Sequence, residues 1–528
     1  MGQRVDQQLP GAESDFVPLS QAGEVEATPG DATLGEATQA QLLSRSERFL
    51  AASTVGEALE AWLDVDRAIV LKRDKRWILD RLARDVAALD AMLGEQVDEI
   101  LHHPSFQAIE SSWRGVHYLA GQAARFANLR VGREIKIRLL NIPWRGVVQD
   151  IERAIEFDQS QLFRKIYSEE FGTPGGEPYG LLLADYEVDE HPATDVAIQG
   201  LSHIAAAAFA PIILNASPRL LEMDRFSDLG SLPTGSGVGG LARMFEQPKY
   251  LKWREFRDSP DARFVGLALP RVLMRLPYDL DGSRPDQFCY QEEVADRDSR
   301  RYLWGGAVYP FGAVVLRAFD ESNWLANIQG VERGCETGGL VTGLPSHSFS
   351  TDAPELIQKY STEVLVNDRQ ERILSELGFI PLCHCRDTEW SAFYSSASVH
   401  DPKEYDRPGA TANARMSATL QYTLSASRFA HYLKVIGRNK VGSFASAEEC
   451  ERYLQRWLLN YTIDADDATP EMRAAAPLRE ARVEVRERPG RPGDYHCVMH
   501  LRPHFQLDQV VTAVTLVTDI AAGSNGGA

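Results

Sequence analysis

The fold is decided by one stretch, residues 179–215, which reads YGLLLADYEVDEHPATDVAIQGLSHIAAAAFAPIILN. Its two ends, 179–185 and 211–215, are short apolar runs of the length that buried strands have. Between them, residues 194–209 space their apolar side chains as one face of a helix does. A strand, a helix and a second strand in this order predict a mixed or partly parallel sheet with helices packed on it.

The same alternation extends on both sides of this stretch. Further strands are predicted at 134–142, 265–269, 363–366 and 379–382, and further helices at 144–156, 241–257, 302–320, 368–377, 411–438 and 446–461. The pattern therefore predicts the α/β class, with mixed α and β elements and a mixed sheet flanked by helices.

The C-terminal part of the chain changes to a hairpin pattern. Residues 482–486 (RVEVR) alternate charged and apolar side chains, PGRPG at 489–493 is typical of a turn, and 495–501 (YHCVMHL) alternate again. A β-branched run at 510–518 predicts a third strand. A sheet this small has open edges, so it either caps its own domain or accepts strands from another chain.

The N-terminal part begins with the composition of a disordered leader. Residues 1–37 hold seven acidic side chains against one basic side chain, a net charge of −6, and few large apolar residues. Apolar stripes at helical spacing follow. The predicted division is a disordered acidic leader (1–37), a helical N-terminal region (38–126), an α/β domain (127–378), a C-terminal domain with the hairpin (379–520) and a flexible tail (521–528).

Composition excludes several classes of protein. The 528 residues include 56 Lys and Arg against 75 Asp and Glu, a net charge of −19, and 44% are hydrophobic. This is the composition of a globular protein, and its acidity argues against a general nucleic-acid binder. Six scattered cysteines suit a reducing cytosol, no export signal begins the sequence, and the longest apolar run, 204–214, is too short to cross a bilayer. We expect a cytoplasmic protein without membrane insertion.

No strong catalytic, cofactor or metal motif is present. Residues 235–240 (GSGVGG) match G-x-G-x-x-G, but a polar, proline-broken segment precedes them, which favours a flexible loop over a cofactor cradle. Residues 383–385 (CHC) lack a second Cys/His cluster at zinc spacing, which favours core cysteines over a metal site. The histidines at 102–103 suit a helix end, and the acids at 464–467 suit a solvated loop. We therefore predict no enzyme and no cofactor.

One predicted helix carries a local basic stripe in this acidic chain. Arg428, Lys434, Arg438 and Lys440 lie along it, while Phe429 belongs to another part of the same helix. The stripe is either part of an amphipathic surface helix or a contact to an acidic protein partner.

Seven segments together resemble one family, the large subunit of the contractile sheath of bacterial type VI secretion systems. They read ILHHPSFQAIESSWRGVHYL (100–119), EEFGTPGGEPYGLLLADYE (169–187), KWREFRDSPDARFVGLALPRVLMRLPY (252–278), YLWGGAVYPFG (302–312), TEVLVNDRQERILSELGFIPL (362–382), SRFAHYLKVIGRNKVGSF (427–444) and PLREARVEVRERPGRPGDYHCVMHLRPHFQL (477–507). They occur in the family's order and cover most of 75–520. The resemblance implies a phage-tail-sheath-like fold. The glycine-rich stretch 231–240 and the N-terminus depart from the family pattern.

The resemblance implies a structural function rather than catalysis. Such a subunit pairs with a small sheath subunit, and the heterodimers polymerise as helical rings around an inner tube of Hcp-type hexamers. The sheath is docked on a membrane-anchored baseplate, and its contraction propels the tube and spike with their effectors. A Clp-class AAA+ ATPase then disassembles it. The energy would be stored in bistable packing of the lattice.

The resemblance also implies roles for three sets of residues. The C-terminal strands at 481–488 and 494–502 would accept strands from neighbouring subunits, with a buried face of Val483, Val485, Tyr495, Cys497, Met499 and Leu501. A helix at 39–52, with Leu42, Leu43 and Phe49 on its apolar side, would bind either the recycling ATPase or the small subunit. Lys434, Arg438 and Lys440 would contact the inner tube.

Overall fold

The computed structural model describes residues 46–65, 74–127, 135–171, 173, 175–231, 237–280, 288–294, 299–331, 335–347, 360–386, 388–440, 446–463, 472, 475–487, 495–503 and 514–520. The chain divides into two compact units, Met1–Leu93 and Gly94–Ala528, and each is described by itself.

The described part of the first unit is helical. Residues 46–50 are helical, α1 spans Val55–Leu63, and α2 (Lys75–Leu101) begins in this unit. Thr54 starts α1 with a capping box, in which its side chain accepts the Glu57 N–H and the Glu57 carboxylate accepts the Thr54 N–H. Of the helix predicted at 39–52, residues 46–50 are helical in the structure. Leu42 and Leu43 lie outside the described residues.

The second unit combines helices with three sheets. Its main helices are α3 (Pro104–Ala127), α4 (Trp144–Arg153), α5 (Pro192–Ala208), α6 (Gly237–Phe245), α7 (Leu251–Asp258), α8 (Val308–Ser322), α9 (Asp368–Glu376), α10 (Pro408–Ser417), α11 (Leu420–Lys440) and α12 (Ala447–Leu459). Its strands are β1 (Leu182–Val188), β2 (Ile212–Ala216), β3 (Val265–Leu269), β4 (Val272–Leu273), β5 (Trp304–Gly305), β6 (Leu340–Val341), β7 (Phe379–His384), β8 (Ser391–Phe393), β9 (Leu478–Glu487), β10 (Tyr495–Pro503) and β11 (Val514–Ile520).

The central sheet has six strands in the order β1-β2-β3-β7-β8-β6. The first four strands are parallel and the last two pair antiparallel, which confirms the predicted mixed sheet. Alternate residues of β2 face two different cores: Ile212 and Leu214 pack on the side of α5, and Ile213 packs on the side of α8. The helices therefore cover both faces of the sheet, as parallel strands require.

The C-terminal sheet is a separate antiparallel layer in the order β11-β10-β9. It confirms the predicted small C-terminal sheet. Its inner face packs on α12 through Cys450, Leu454 and Leu458, and the same core includes Trp324 and Phe429, whose rings stack at 4.4 Å. This core is built from a different set of residues than the two cores of the central sheet.

Two predicted strands are wrong as the structure describes them. Residues 135–142 are extended but form no strand, because their main-chain groups make no hydrogen bond to another described main-chain group. Residues 363–366 also form no strand, although Val364 and Val366 are buried, because the pairing with β4 stops at one antiparallel bridge between Val272 and Thr362.

Three predicted helices are shorter or divided. The helix at 241–257 breaks where Pro248 cannot continue α6, and the helix at 302–320 starts later because Trp304–Gly305 pairs as β5. The helix at 411–438 divides into α10 and α11, since the backbone between them bonds another segment: the Leu420 N–H donates to the Ser396 carbonyl at 2.8 Å. Within the described residues, no helix has both the length and the apolar content needed to cross a lipid bilayer.

Candidate assembly interface

The inner face of the C-terminal sheet is already covered within this chain. Val483, Cys497, Met499 and Leu501 are each at most 2% exposed, and Val485 is also buried. Their side chains pack against α12 and the Trp324–Phe429 pair. Five of the six predicted face residues therefore form one hydrophobic surface, and they stabilise the sheet from inside rather than presenting it to a partner.

The remaining predicted residue, Tyr495, is placed only by its backbone. It lies opposite Glu487 of β9 and Ile520 of β11 in the ladder. Its side chain lies outside the described ones. Because β10 is paired on both sides, β9 is the one of the two predicted acceptor strands that has an edge in the described sheet.

The outer edge of β9 is capped by two side chains of α12. Gln455 donates its Nε2–H to the Ala481 carbonyl at 2.9 Å and accepts the Val483 N–H at Oε1 at 3.0 Å. Glu451 accepts the Val485 N–H at Oε2 at 3.0 Å. Three main-chain groups on the outer edge of the strand are thus satisfied by one helix. Proteins protect sheet edges in this way against unwanted pairing.

The basic stripe does not place Lys434 on an open surface. Its Nζ lies 4.6 Å from the ring centroid of Phe209, 5.0 Å from that of Tyr167 and 5.1 Å from that of Phe171. Burial lowers the pKa of Lys434 to about 8. The ammonium group is therefore held in an aromatic cage of its own chain, where cation–π attraction offsets part of the lost hydration. The side chains of Arg438 and Lys440 lie outside the described ones.

One turn before this cage, His431 joins α11 to the C-terminal end of α5. Its Nε2 lies 3.0 Å from the Ala208 carbonyl, so Nε2 carries the proton and donates it. Its Nδ1 is buried and has no partner among the described groups. Burial lowers the pKa of His431 to about 3, which keeps the ring neutral at physiological pH.

A cluster of polar side chains joins β1 and β2 to the helices on one face of the sheet. Asn215 of β2 accepts the Val308 N–H at Oδ1 (3.2 Å) and donates Nδ2–H to Asp185 (3.1 Å). The hydroxyl groups of Tyr309 (2.8 Å) and Ser112 (2.5 Å) donate to the other oxygen of Asp185. At Gly306, an added Cβ would lie 2.1 Å from Asn215 Nδ2. The cluster binds α3, β1, β2 and α8 together.

The structure shows where the residues of the weak sequence motifs lie. Cys383 is buried in β7, where burial raises the pKa of its thiol to about 12, so it is neither a ready nucleophile nor a ready metal ligand. Residues 237–240 open α6, and residues 227–231 before them are helical rather than a strand. His102, at the end of α2, lies 3.1 Å from Glu292. Residues 464–467 lie outside the described ones, and within the described part no group of three His, Cys, Asp or Glu could hold a metal ion.

Comparison with known proteins assigns the chain to a family. Residues 83–400 match the family model described as EvpB/VC_A0108, tail sheath N-terminal domain, and residues 409–520 match its tail sheath gpW/gp25-like domain. The chain belongs to the type VI secretion tail sheath family. It is 41% identical over 440 residues to the type VI secretion system sheath protein TssC1 of Pseudomonas aeruginosa, and the match covers 82% of this chain and 85% of that protein. The resemblance stated from the sequence is confirmed.

The two matched regions hold different sheets. The central sheet lies in the N-terminal tail sheath region, and α12 with β9, β10 and β11 lies in the gpW/gp25-like region. Sequence reasoning missed Gln455 and Glu451. The available signal was their i, i+4 spacing beside the buried stripe of α12, which places both side chains on one face next to the sheet.

Proposed function

We propose that this chain is the large subunit of a type VI secretion contractile sheath. It forms a heterodimer with a small sheath subunit in the bacterial cytoplasm. The heterodimers polymerise around an Hcp-type inner tube on the baseplate, and the polymer contracts to propel tube, spike and effectors. The observation that carries this proposal is the match to both tail sheath domains, which together span 83–400 and 409–520.

The geometry supports an assembly role for the C-terminal sheet. A stable sheet with its own core can hold a neighbour's strand through backbone hydrogen bonds while side-chain contacts elsewhere rearrange. The edge of β9 is the predicted acceptor that this chain presents. Pairing there requires Gln455 and Glu451 to release the backbone groups that they bond. Strand exchange would therefore begin with the breaking of these three hydrogen bonds.

The two other proposed contacts, with the recycling ATPase and with the inner tube, involve few residues that the structure describes. Recognition by a Clp-class AAA+ ATPase would use the helix at 39–52, of which Phe49 is described and packs edge to face on Trp62 at 5.4 Å. Contact with the inner tube would rest on Arg438 and Lys440, since Lys434 lies in its aromatic cage. No reaction chemistry forms part of the proposal.

The proposal is tested by co-expression with a small sheath subunit and negative-stain electron microscopy. Tubules with cogwheel-shaped ends are the expected result. A finite heterodimer without tubules would favour a soluble adaptor, and tightly bound metal or nucleotide without tubules would favour an enzyme.

Strand exchange at β9 is tested by Val485→Pro, because proline removes the outward N–H that Glu451 accepts. The control is Val485→Ala, which trims the side chain but keeps the N–H. We expect tubules with the alanine variant and none with the proline variant, while both still bind the small subunit. Equal tubule formation by the two variants would place the exchange elsewhere.

A further inference from the structure

The aromatic cage around Lys434 joins the two regions of the chain that match different tail sheath domains. Lys434 lies on α11, in the gpW/gp25-like region, while Tyr167, Phe171 and Phe209 lie in the N-terminal tail sheath region. The centroids of the three rings lie 4.6–5.1 Å from the ammonium group. The side chain is therefore a contact between the two regions, and its charge acts where they meet.

Two uncommon backbone conformations build the walls of the cage. Arg164–Ser168 is a π-helix, and the Tyr167 ring that it carries lies 4.6 Å from the Phe171 ring. Phe209 ends α5 in the left-handed conformation with a φ of 51°, which is unfavourable for a residue with a Cβ. Such conformations persist only where the surrounding structure fixes them, and they are frequent at functional sites. The rings thus form a fixed site into which the Lys434 side chain fits.

The cage supplies no negative charge to the ammonium group. Lys434 donates a hydrogen bond to the Tyr167 hydroxyl at 3.4 Å, and no described carboxylate lies within ion-pair distance of it. The charged side chains next to Tyr167 in the sequence are either exposed or, in the last case, paired with Arg138; they are Arg164, Lys165, Glu169 and Glu170. The ammonium group therefore recovers only part of the hydration that it loses on burial.

The two titratable groups that face the ammonium group, Tyr167 and His431, are both neutral near pH 7. Burial raises the pKa of Tyr167 and lowers the pKa of His431 to about 3. The His431 ring lies 5.9 Å from the Phe171 ring, so it stands behind one wall of the cage. Arg428 of α11, whose charge also acts on His431, is a second cation. Without a counter-ion, burial lowers the pKa of Lys434 itself from 10.5 to about 8.

We propose that Lys434 is a pH-dependent switch at this junction, whose charged form weakens and whose neutral form strengthens the docking of α11 on the N-terminal region. When α11 moves away from the rings, water hydrates the ammonium group and its proton is held more tightly. Opening is therefore coupled to proton uptake, and docking is coupled to proton release. The destabilisation by the charge is complete below pH 8 and disappears as the pH rises from 8 to 10.5. This inference does not depend on the proposed function.

The test compares the hydrogen exchange of α11 main-chain N–H groups in the full chain and in Lys434→Met, which fills the cage without a charge. At pH 7 these groups should exchange more slowly in the variant, by about tenfold or more. The pKa values of 10.5 in the open state and about 8 in the docked state predict that this ratio falls about tenfold between pH 7 and pH 9. Because both proteins are measured at each pH, the base catalysis of exchange cancels.

Two further variants separate the charge from the packing. Lys434→Arg keeps a cation that does not titrate, so the exchange of the original chain should slow about tenfold relative to this variant between pH 7 and pH 9. Lys165→Met removes an exposed lysine from the π-helix that carries Tyr167. It should exchange like the original chain at both pH values.

Three results would overturn the inference. Faster exchange in Lys434→Met at both pH values would mean that the ammonium group stabilises the junction through cation–π attraction. Ratios that are the same at pH 7 and pH 9 would mean that the titration of Lys434 does not control docking. An effect of Lys165→Met as large as that of Lys434→Met would assign the change to the overall surface charge.

Discussion

Two extended segments of this molecule differ in how their outward main-chain groups are hydrogen-bonded. The outer edge of β9 is bonded by Gln455 and Glu451, so its main-chain groups at Ala481, Val483 and Val485 have partners before any assembly. The segment at 137–141 is held by side chains at its ends, and its main chain has no described partner. One edge is closed by its own chain, and the other has no main-chain partner among the described residues.

The two edges should respond differently to an approaching strand of another chain. An open apolar edge pairs with any suitable strand, and a partner that is always present can cover it permanently. A closed edge pairs only with a strand that outcompetes the cap.

The largest expected contrast between the two regions is in stability. Met499→Ala removes a fully buried side chain from the C-terminal sheet, so the free energy of unfolding should fall by about 2–5 kcal/mol. Leu139→Ala trims an exposed side chain and should change it by less than about 0.5 kcal/mol. Denaturant titration of both variants measures the contrast. A similar small loss in the two would mean that the C-terminal sheet is not independently packed.

Acid should affect the C-terminal region through His431. The pKa of His431 is lowered from 6.5 to about 3 by burial, so its neutral form stabilises the fold fully above pH 6.5. This stability is lost as the pH falls toward 3, and the loss should reach about 2 kcal/mol at pH 5.

The comparison variant for this prediction is His431→Gln, whose amide can still donate to the Ala208 carbonyl but does not titrate. Denaturant titrations at pH 7 and pH 5 should show a smaller acid-induced loss in the variant than in the original chain. Equal losses in the two would assign the acid sensitivity to other groups.

The smallest expected effect concerns the cap itself. Gln455→Ala removes two hydrogen bonds to β9, and each contributes about 0.5–1.5 kcal/mol. Because the Val483 N–H then loses its acceptor, its hydrogen exchange should accelerate about tenfold. Arg452→Ala, on the same helix but bonded to Glu448, is the control and should leave this exchange unchanged. Unchanged exchange in Gln455→Ala would show that the edge is not held by the cap.

The parts of the fold that the sequence predicts are those in which local pattern and burial agree. Strands β2, β3 and β7 are continuous apolar runs buried on both faces, and their predicted ranges overlap the observed ones closely. Residues 363–366 have the same β-branched character, but Val364 and Val366 supply core side chains from a segment that pairs with β4 only through one bridge at its start. A residue can be buried without pairing in a strand, and the apolar pattern of the sequence indicates only the burial.

The candidate site was predictable in part for a similar reason. The alternation at 482–486 and 495–501 identifies the inner face of the hairpin, because that face depends on strand periodicity alone. The cap by Gln455 and the cage around Lys434 depend on where a helix meets a distant segment, such as Phe209 for the cage. The predicted strand at 134–142 shows the converse case, since its strand pattern is clear but its main chain bonds no other described main-chain group.

The central position of β10 has a mechanical consequence. Its hydrogen bonds to β9 and β11 run across the strands, along its full length on the β9 side and from Tyr495 to Leu501 on the β11 side. A force directed along β10 therefore shears all of these bonds at once, whereas a force directed sideways at one end unzips them in sequence. The direction of an applied force would thus determine whether the C-terminal sheet resists it as a unit or opens from one end.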